Sequence, residues 1–169
     1  ATSDDPTPYS YWGTGYPDSN ASGNSTSMYD FVFVQPNQYN FGYRNYQGTS
    51  SYRAIVEIEG AISSTNVSNY NYLGEYQGHH YFESTFTDSW WDHANRINDQ
   101  EFAAYGDNAY LYIPNSFEEH NVWLEPKIGQ STWYWIGIYK NPRYNSSYQE
   151  GWTDVKGNLL QSTGSAAPE

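Results

Sequence analysis

The sequence predicts an α+β domain, on three observations. Aromatic and β-branched runs recur, the longest being STWYWIGIY at Ser131 to Tyr139 with an echo, EGWTDV, at Glu150 to Val155; such runs read as buried strands. Two upstream stretches carry helical signatures. Trp90, Ala94 and Ile97 share one face at i, i+4 and i+7, and Ser116 precedes Glu119 by three residues as a capping box. Turn formers such as Gln77-Gly78, Gly106 and Pro142 separate these short runs.

In chain order, residues 1–8 are polar with two prolines and read as a linker. Tyr9 to Ser27 is a long loop dense in Gly, Asn and Ser and studded with aromatics, a combination expected of a functional loop. Tyr29 to Val34 (YDFVFV) is a strand, and Tyr52 to Glu59 (YRAIVEIE) a second. In the second, Ala54, Val56 and Ile58 lie on one face and Arg53, Ile55, Glu57 and Glu59 on the other. Gly60 to Asn69 is a polar connector. Tyr70 to Phe86 predicts a hairpin around Gln77-Gly78, and Thr87 or Asp88 is placed to cap the first helix.

Gln100 to Tyr105 extends that helix or forms a second short one ending at Gly106. Ala109 to Ile113 is a strand, and the Ser116 cap opens a helix through Val122 and Trp123. In the run at 131–139, Trp133, Trp135 and Gly137 alternate with Thr132, Tyr134, Ile136 and Ile138. That predicts two packed faces and a glycine where another backbone approaches closely.

Composition narrows the function. Hydrophobic residues make up 37 % of the chain and aromatics 20 %, with 19 Tyr and 7 Trp. Tyrosine combines apolar area with a polar tip, which suits surfaces that must pack and recognise. The 19 acidic and 7 basic residues leave a net charge of −12, which disfavours nucleic acid and anionic membranes as partners. The same acidity permits Ca²⁺, whose ligands are carboxylate and carbonyl oxygens. Cysteine is absent, so there is neither a disulfide framework nor a thiolate metal site. No apolar run reaches the ~18 residues of a membrane span, and no membrane insertion is expected. Asn20, Asn24, Asn66 and Asn145 begin Asn-x-Ser/Thr sequons and are candidate glycosylation sites.

From Tyr81 to Gly157 the order becomes specific: a YFES strand, WDHA at Trp91 to Ala94, AYLYIPNSFEEHNVWL, WIGI at Trp135 to Ile138, then GWTD at Gly151 to Asp154. This resembles the N-terminal half of a C-type lectin-like domain, with Leu111, Ile113, Ser116, Glu119 and WIGI carrying the match over about half the chain. YSYWGTGYPD at 9–18, YDFVFV, YRN at 43–45 and YRAIVEIEG resemble the C-terminal half of the same family. The halves stand in permuted order.

The resemblance therefore implies a C-type lectin-like α+β fold with two helices, two small and mostly antiparallel sheets and a long loop. Residues 1–60 hold the C-terminal half, 61–69 a connector, 70–160 the N-terminal half and 161–169 a loose linker. Two arrangements would produce this order. One is a circular permutant; the other is a phase-shifted unit of a tandem array in which each half pairs with a neighbour.

In sugar-binding family members, a Glu-Pro-Asn motif, a later Glu and a Trp-Asn-Asp motif hold Ca²⁺. At those positions this sequence has Tyr16, Pro17 and Asp18, then Tyr29 beside Asp30, then Tyr43, Arg44 and Asn45. Phenols replace two carboxylates and a guanidinium replaces an amide, so no cofactor is expected, with Ca²⁺ admitted only through a largely altered ligand set. What remains is a loop surface of Tyr9, Tyr11, Trp12, Tyr16, Tyr29, Tyr43 and Tyr46 with Asp18, Asp30, Arg44 and Asn45 interspersed. Such a surface can stack on sugars or bury into a protein partner.

Catalytic signatures are missing from the sequence. His79 and His80 are adjacent, so on a strand they point to opposite faces, and no nucleophile elbow or triad spacing is present. The expected function is an extracellular, non-catalytic adhesion or structural module. It would be the repeating unit of a cell-surface filament or repetitive adhesin, touching neighbouring copies of itself and a protein or glycan ligand. The alternatives are a free-standing permuted carbohydrate-binding module and an inactive domain attached to an enzyme.

Overall fold

A computed structural model describes residues 12, 13, 16, 31–36, 42–141 and 151–160. Its strands are β1 (Phe31–Val34), β2 (Arg44–Tyr46), β3 (Arg53–Glu59), β4 (Tyr70–Tyr76), β5 (His79–Ser84), β6 (Ala109–Leu111), β7 (Tyr134–Lys140) and β8 (Trp152–Asp154). The α-helix α1 spans Trp90–Asp99. A 3₁₀ turn covers Ala103–Asn108, a π-helical turn Glu118–Leu124 and a second 3₁₀ turn Glu125–Lys127. The chain is thus mixed α+β, mostly sheet with a few short helices.

Among the described residues the strands join into one eight-stranded sheet with the path β2-β1-β7-β3-β5-β4, where β6 adds to β3 and β8 to β7. The sequence predicts two small, mostly antiparallel sheets; the described strands instead join through β3. Along one edge it pairs antiparallel with β5. Along the other, Arg53 and Ala54 pair parallel with β7, and Val56 to Ile58 pair antiparallel with β6. β1 also pairs with β7. Strands from residues 31–59 therefore close with strands from residues 70–154 inside a single chain.

The period-2 alternation sorts the core onto the two sides of the sheet. Val32, Val34, Ile55, Tyr81, Tyr134, Ile136 and Ile138 pack with Tyr43, Tyr112, Leu124 and Trp152. Phe31, Phe33, Ala54, Val56, Ile58, Phe82 and Trp135 pack with Trp90 and Ile97 of α1. Buried tryptophans find partners for their indole N–H, as their polarity requires: Trp90 Nε1 donates to Ile136 O at 2.9 Å and Trp135 Nε1 to Ser50 O at 3.1 Å. The mixed alternation of β3 resolves into burial on both faces, with Glu57 at 0 % exposure.

Local chemistry explains the punctuation. Gln77 and Gly78 have φ of 50° and 82°, the pair of positive values that a two-residue hairpin needs to match strand twist. The cap of α1 is Ser89 rather than Thr87 or Asp88: Ser89 Oγ accepts from Asp92 N at 3.1 Å, while Asp88 Oδ1 accepts from Ser89 N at 2.9 Å. One capping-box bond at Ser116 forms, Glu119 N to Ser116 Oγ at 3.1 Å. The Glu119 side chain takes Asn115 N at 2.8 Å instead of the cap residue's own N–H, and the turn that follows is π-helical. Among the described residues no helix is long and apolar enough to cross a membrane.

Candidate functional site

The residues singled out on the loop surface divide between two environments. Tyr43 and Asn45 are 0 % and 1 % exposed, so neither presents its side chain to a ligand. Alternation along β2 sends residues 43 and 45 to one side and Arg44 to the other. Tyr43 sits in the core, edge-on to His120 at 5.5 Å. Trp12 bridges to Tyr43 and packs at 4.8 Å against buried Trp152, which makes it a core contact as well. Tyr11, Asp18, Tyr29 and Asp30, like the sequons at Asn20, Asn24 and Asn145, lie outside the described residues. Asn66 is exposed on the connector between β3 and β4.

Tyr16 and Arg44 meet. Arg44 Nη2 donates to Tyr16 Oη at 2.6 Å across 28 residues of sequence, and the guanidinium lies 4.9 Å from the Tyr16 ring centre. The register of β1 on β2 sets Phe33 opposite Arg44, bringing the guanidinium to 5.4 Å from the Phe33 ring and 5.8 Å from Trp133. Phe33 is the buried hub of the group. Trp133 stacks on it at 5.0 Å and 22°, Tyr52 lies at 5.1 Å and Tyr46 at 6.3 Å. Tyr52 and Trp133 touch edge-on at 5.0 Å.

Tyr16, Arg44, Tyr46, Tyr52 and Trp133 are all partly buried, so each side chain is held by packing yet keeps surface open. Pre-organised aromatics flanking an arginine lose little entropy on contact, which is what a recognition surface requires. The Tyr52 hydroxyl has its pKa pushed up to about 12, chiefly by burial against the lowering hydrogen bond with Ser50. It therefore stays neutral and able to donate.

In the sequence Tyr52 and Trp133 read only as strand residues. Each stands just before its strand, where the chain enters the sheet, and only the parallel pairing of β3 with β7 brings the two entry points side by side. A cleft of about 520 Å³ lies elsewhere, between α1, β6 and the turn after β8, floored by Ala94, Ile97, Leu111 and Val155. It shares no residue with the aromatic cluster.

His79, His93 and His120 are buried, and His80 is partly buried. His79 and His80 diverge as adjacent strand residues should, His79 toward Glu57 at 2.5 Å and His80 toward Tyr72 Oη at 2.8 Å. His93 Nε2 meets Tyr52 O at 2.7 Å, and burial lowers its pKa despite that bond. Among the described residues no group of three or more His, Asp or Glu is placed to hold a metal ion. Compared with known proteins, the chain matches no family model, no curated protein and no solved structure.

Proposed function

We propose that this chain is an extracellular, non-catalytic adhesion module with a permuted C-type lectin-like fold, and that it contacts protein or glycan through the Tyr16–Arg44–Tyr46–Tyr52–Trp133 cluster. The observation that carries this reading is the convergence on the Phe33 ring of Arg44 and Tyr46 from β2, Tyr52 at the entry to β3 and Trp133 at the entry to β7. Core packing alone would not require an arginine among the rings, whereas partner hot spots are enriched in Tyr, Trp and Arg. Tyr16 and Arg44 occupy positions that the resembled family gives to Ca²⁺ ligands. Here a hydrogen bond joins them, which supports recognition by ring faces rather than through a bridging ion.

Pairing of β1 and β3 with β5, β6 and β7 inside one chain supports a self-contained unit. In a cell-surface filament or tandem array such units would join through their surfaces rather than by exchanging halves. The same pairing equally supports a free-standing carbohydrate-binding module. Light scattering on the purified chain distinguishes these arrangements: a self-contained unit runs as a monomer near 19.4 kDa, and obligate polymers would point to exchanged halves.

The recognition surface is tested by screening wild type, Trp133→Ala and Arg44→Ala against glycan arrays and surface-protein extracts. Loss of more than about tenfold in affinity in both variants is expected. Ligands bound equally by all three would overturn the assignment of this surface.

A further inference from the structure

Two carboxyl groups lie inside the fold, linked through Tyr81, which is opposite Glu57 in the sheet and donates its hydroxyl to Glu119. Glu57, on β3, is 0 % exposed and accepts from His79 Nδ1 at 2.5 Å and Ile113 N at 3.1 Å, with Tyr110 Oη, which donates to Glu59 Oε1 at 2.8 Å, lying 3.2 Å away. Glu119, on the π-helical turn, is 4 % exposed and accepts from Tyr81 Oη at 2.5 Å and Asn115 N at 2.8 Å, with Tyr112 Oη at 3.4 Å. The other groups facing them are Glu59 of β3, which is paired with Lys156, Tyr76 of β4 beside Glu118, and His120 of the turn itself, with Tyr43 behind Tyr112.

The charge count decides the protonation state. Even with His79 protonated, two ionised carboxylates against one imidazolium would leave a negative charge uncompensated where water does not reach. A buried unpaired charge costs several kcal/mol, more than keeping one carboxyl neutral. Like charges sharing a site also cannot both ionise freely. Burial first, and then the charge of Glu57, push the Glu119 carboxyl up to about 8, against the opposing bonds from Tyr81 and Asn115. The hydrogen bond to Glu57 raises His79 in spite of its desolvation. The 3.4 Å separation of Tyr112 Oη from Glu119 Oε1 leaves room for a proton on that oxygen, and Tyr112 Oη lies in turn 3.1 Å from His120 Nδ1.

Glu119 anchors the turn that carries Trp123 onto Tyr81 at 4.9 Å and buries Leu124. We propose that Glu57, His79 and Glu119 form a proton-holding latch, in which a proton retained on Glu119 keeps its carboxyl uncharged inside the fold while the bonds it accepts from Tyr81 and Asn115 hold the Glu118–Leu124 turn to the sheet. The module is thereby suited to mildly acidic surroundings, and its turn loosens in mild alkali. Both Glu119 and His79 have folded values above their ordinary ones. Their stabilisation is therefore complete below those ordinary values, 4.5 and 6.5, and is lost as pH rises through the folded values, about 8 for Glu119. The latch is independent of the recognition surface.

Thermal unfolding of the 169-residue chain at about pH 5.5 and about pH 8.5 tests the latch. The wild type is expected to melt several degrees lower at the higher pH. Glu119→Gln, which keeps the site neutral with nearly the same shape, is expected to lose most of that difference. A wild type equally or more stable at the higher pH, or a Gln variant with the wild-type slope, would overturn the latch. Should Glu119→Gln fail to fold, carbon-13 titration of the Glu119 carboxyl in the wild type decides. A midpoint above about 7 supports the retained proton and one below about 5 removes it.

Discussion

Gly137 passes so close to Leu111 that a Cβ added to the glycine would lie 2.2 Å from the Leu111 carbonyl oxygen. The contact is between backbones, with Gly137 N donating to Tyr112 O at 2.7 Å and Gly137 O accepting from Val155 N at 2.9 Å. No side chain can rotate to relieve it. Gly137→Ala is expected to cost roughly 2–4 kcal/mol, at or beyond the upper range of core overpacking, read as a lower urea midpoint with little change in slope. A variant within about 0.5 kcal/mol of wild type would show that β6 and β7 can separate freely.

Helix α1 starts on Ser89, whose hydroxyl accepts from Asp92 N. Replacing Ser89 with Ala leaves an amide of the first turn without its side-chain acceptor and should destabilise the chain by about 1 kcal/mol. Thr87→Ala, two residues earlier, should fall within about 0.5 kcal/mol of wild type. Equal effects at the two positions would move the cap.

Arg96 holds Glu101 through two hydrogen bonds, Nε at 3.0 Å and Nη2 at 2.5 Å. The Arg96 bond, ahead of opposing desolvation, keeps the Glu101 carboxyl below its ordinary 4.5. A lowered folded value means the contribution is present above about pH 4.5 and fades as pH falls through the folded value. The pair is partly exposed, so Glu101→Gln should cost less than about 1 kcal/mol at neutral pH. That loss should shrink in about 1 M salt and vanish near pH 3. Chemical unfolding across that range, with and without salt, would show it.

Asn66 lies exposed in the connector, its backbone turned by the Asn66 N to Ser64 Oγ bond at 2.9 Å, and its sequon is Asn66-Val67-Ser68. Expressed through a eukaryotic secretory pathway, the chain should carry an endoglycosidase-sensitive glycan at this position. Peptide mass spectrometry of wild type and Asn66→Gln would locate it. An unmodified Asn66 peptide in a fully secreted product would exclude the site.

What the sequence determined by itself was local. The strand runs, the Gln77-Gly78 hairpin, the half-formed capping box at Ser116 and the close approach at Gly137 all follow from periodicity and backbone stereochemistry within a few residues. Tertiary structure decided which faces are covered. Glu57 reads as the polar side of an alternating strand, yet β3 lies between β5 on one edge and β6 and β7 on the other, and both its faces are buried. Glu119 reads as a capping residue, yet its carboxyl turns inward to Tyr81. Tyr43, Arg44 and Asn45 read as one surface motif, yet the β2 register on β1 directs only Arg44 to the aromatic cluster. In each case the residue type specifies what a side chain can bond to, and the partner arrives from tens of residues away through strand pairings that no local pattern encodes.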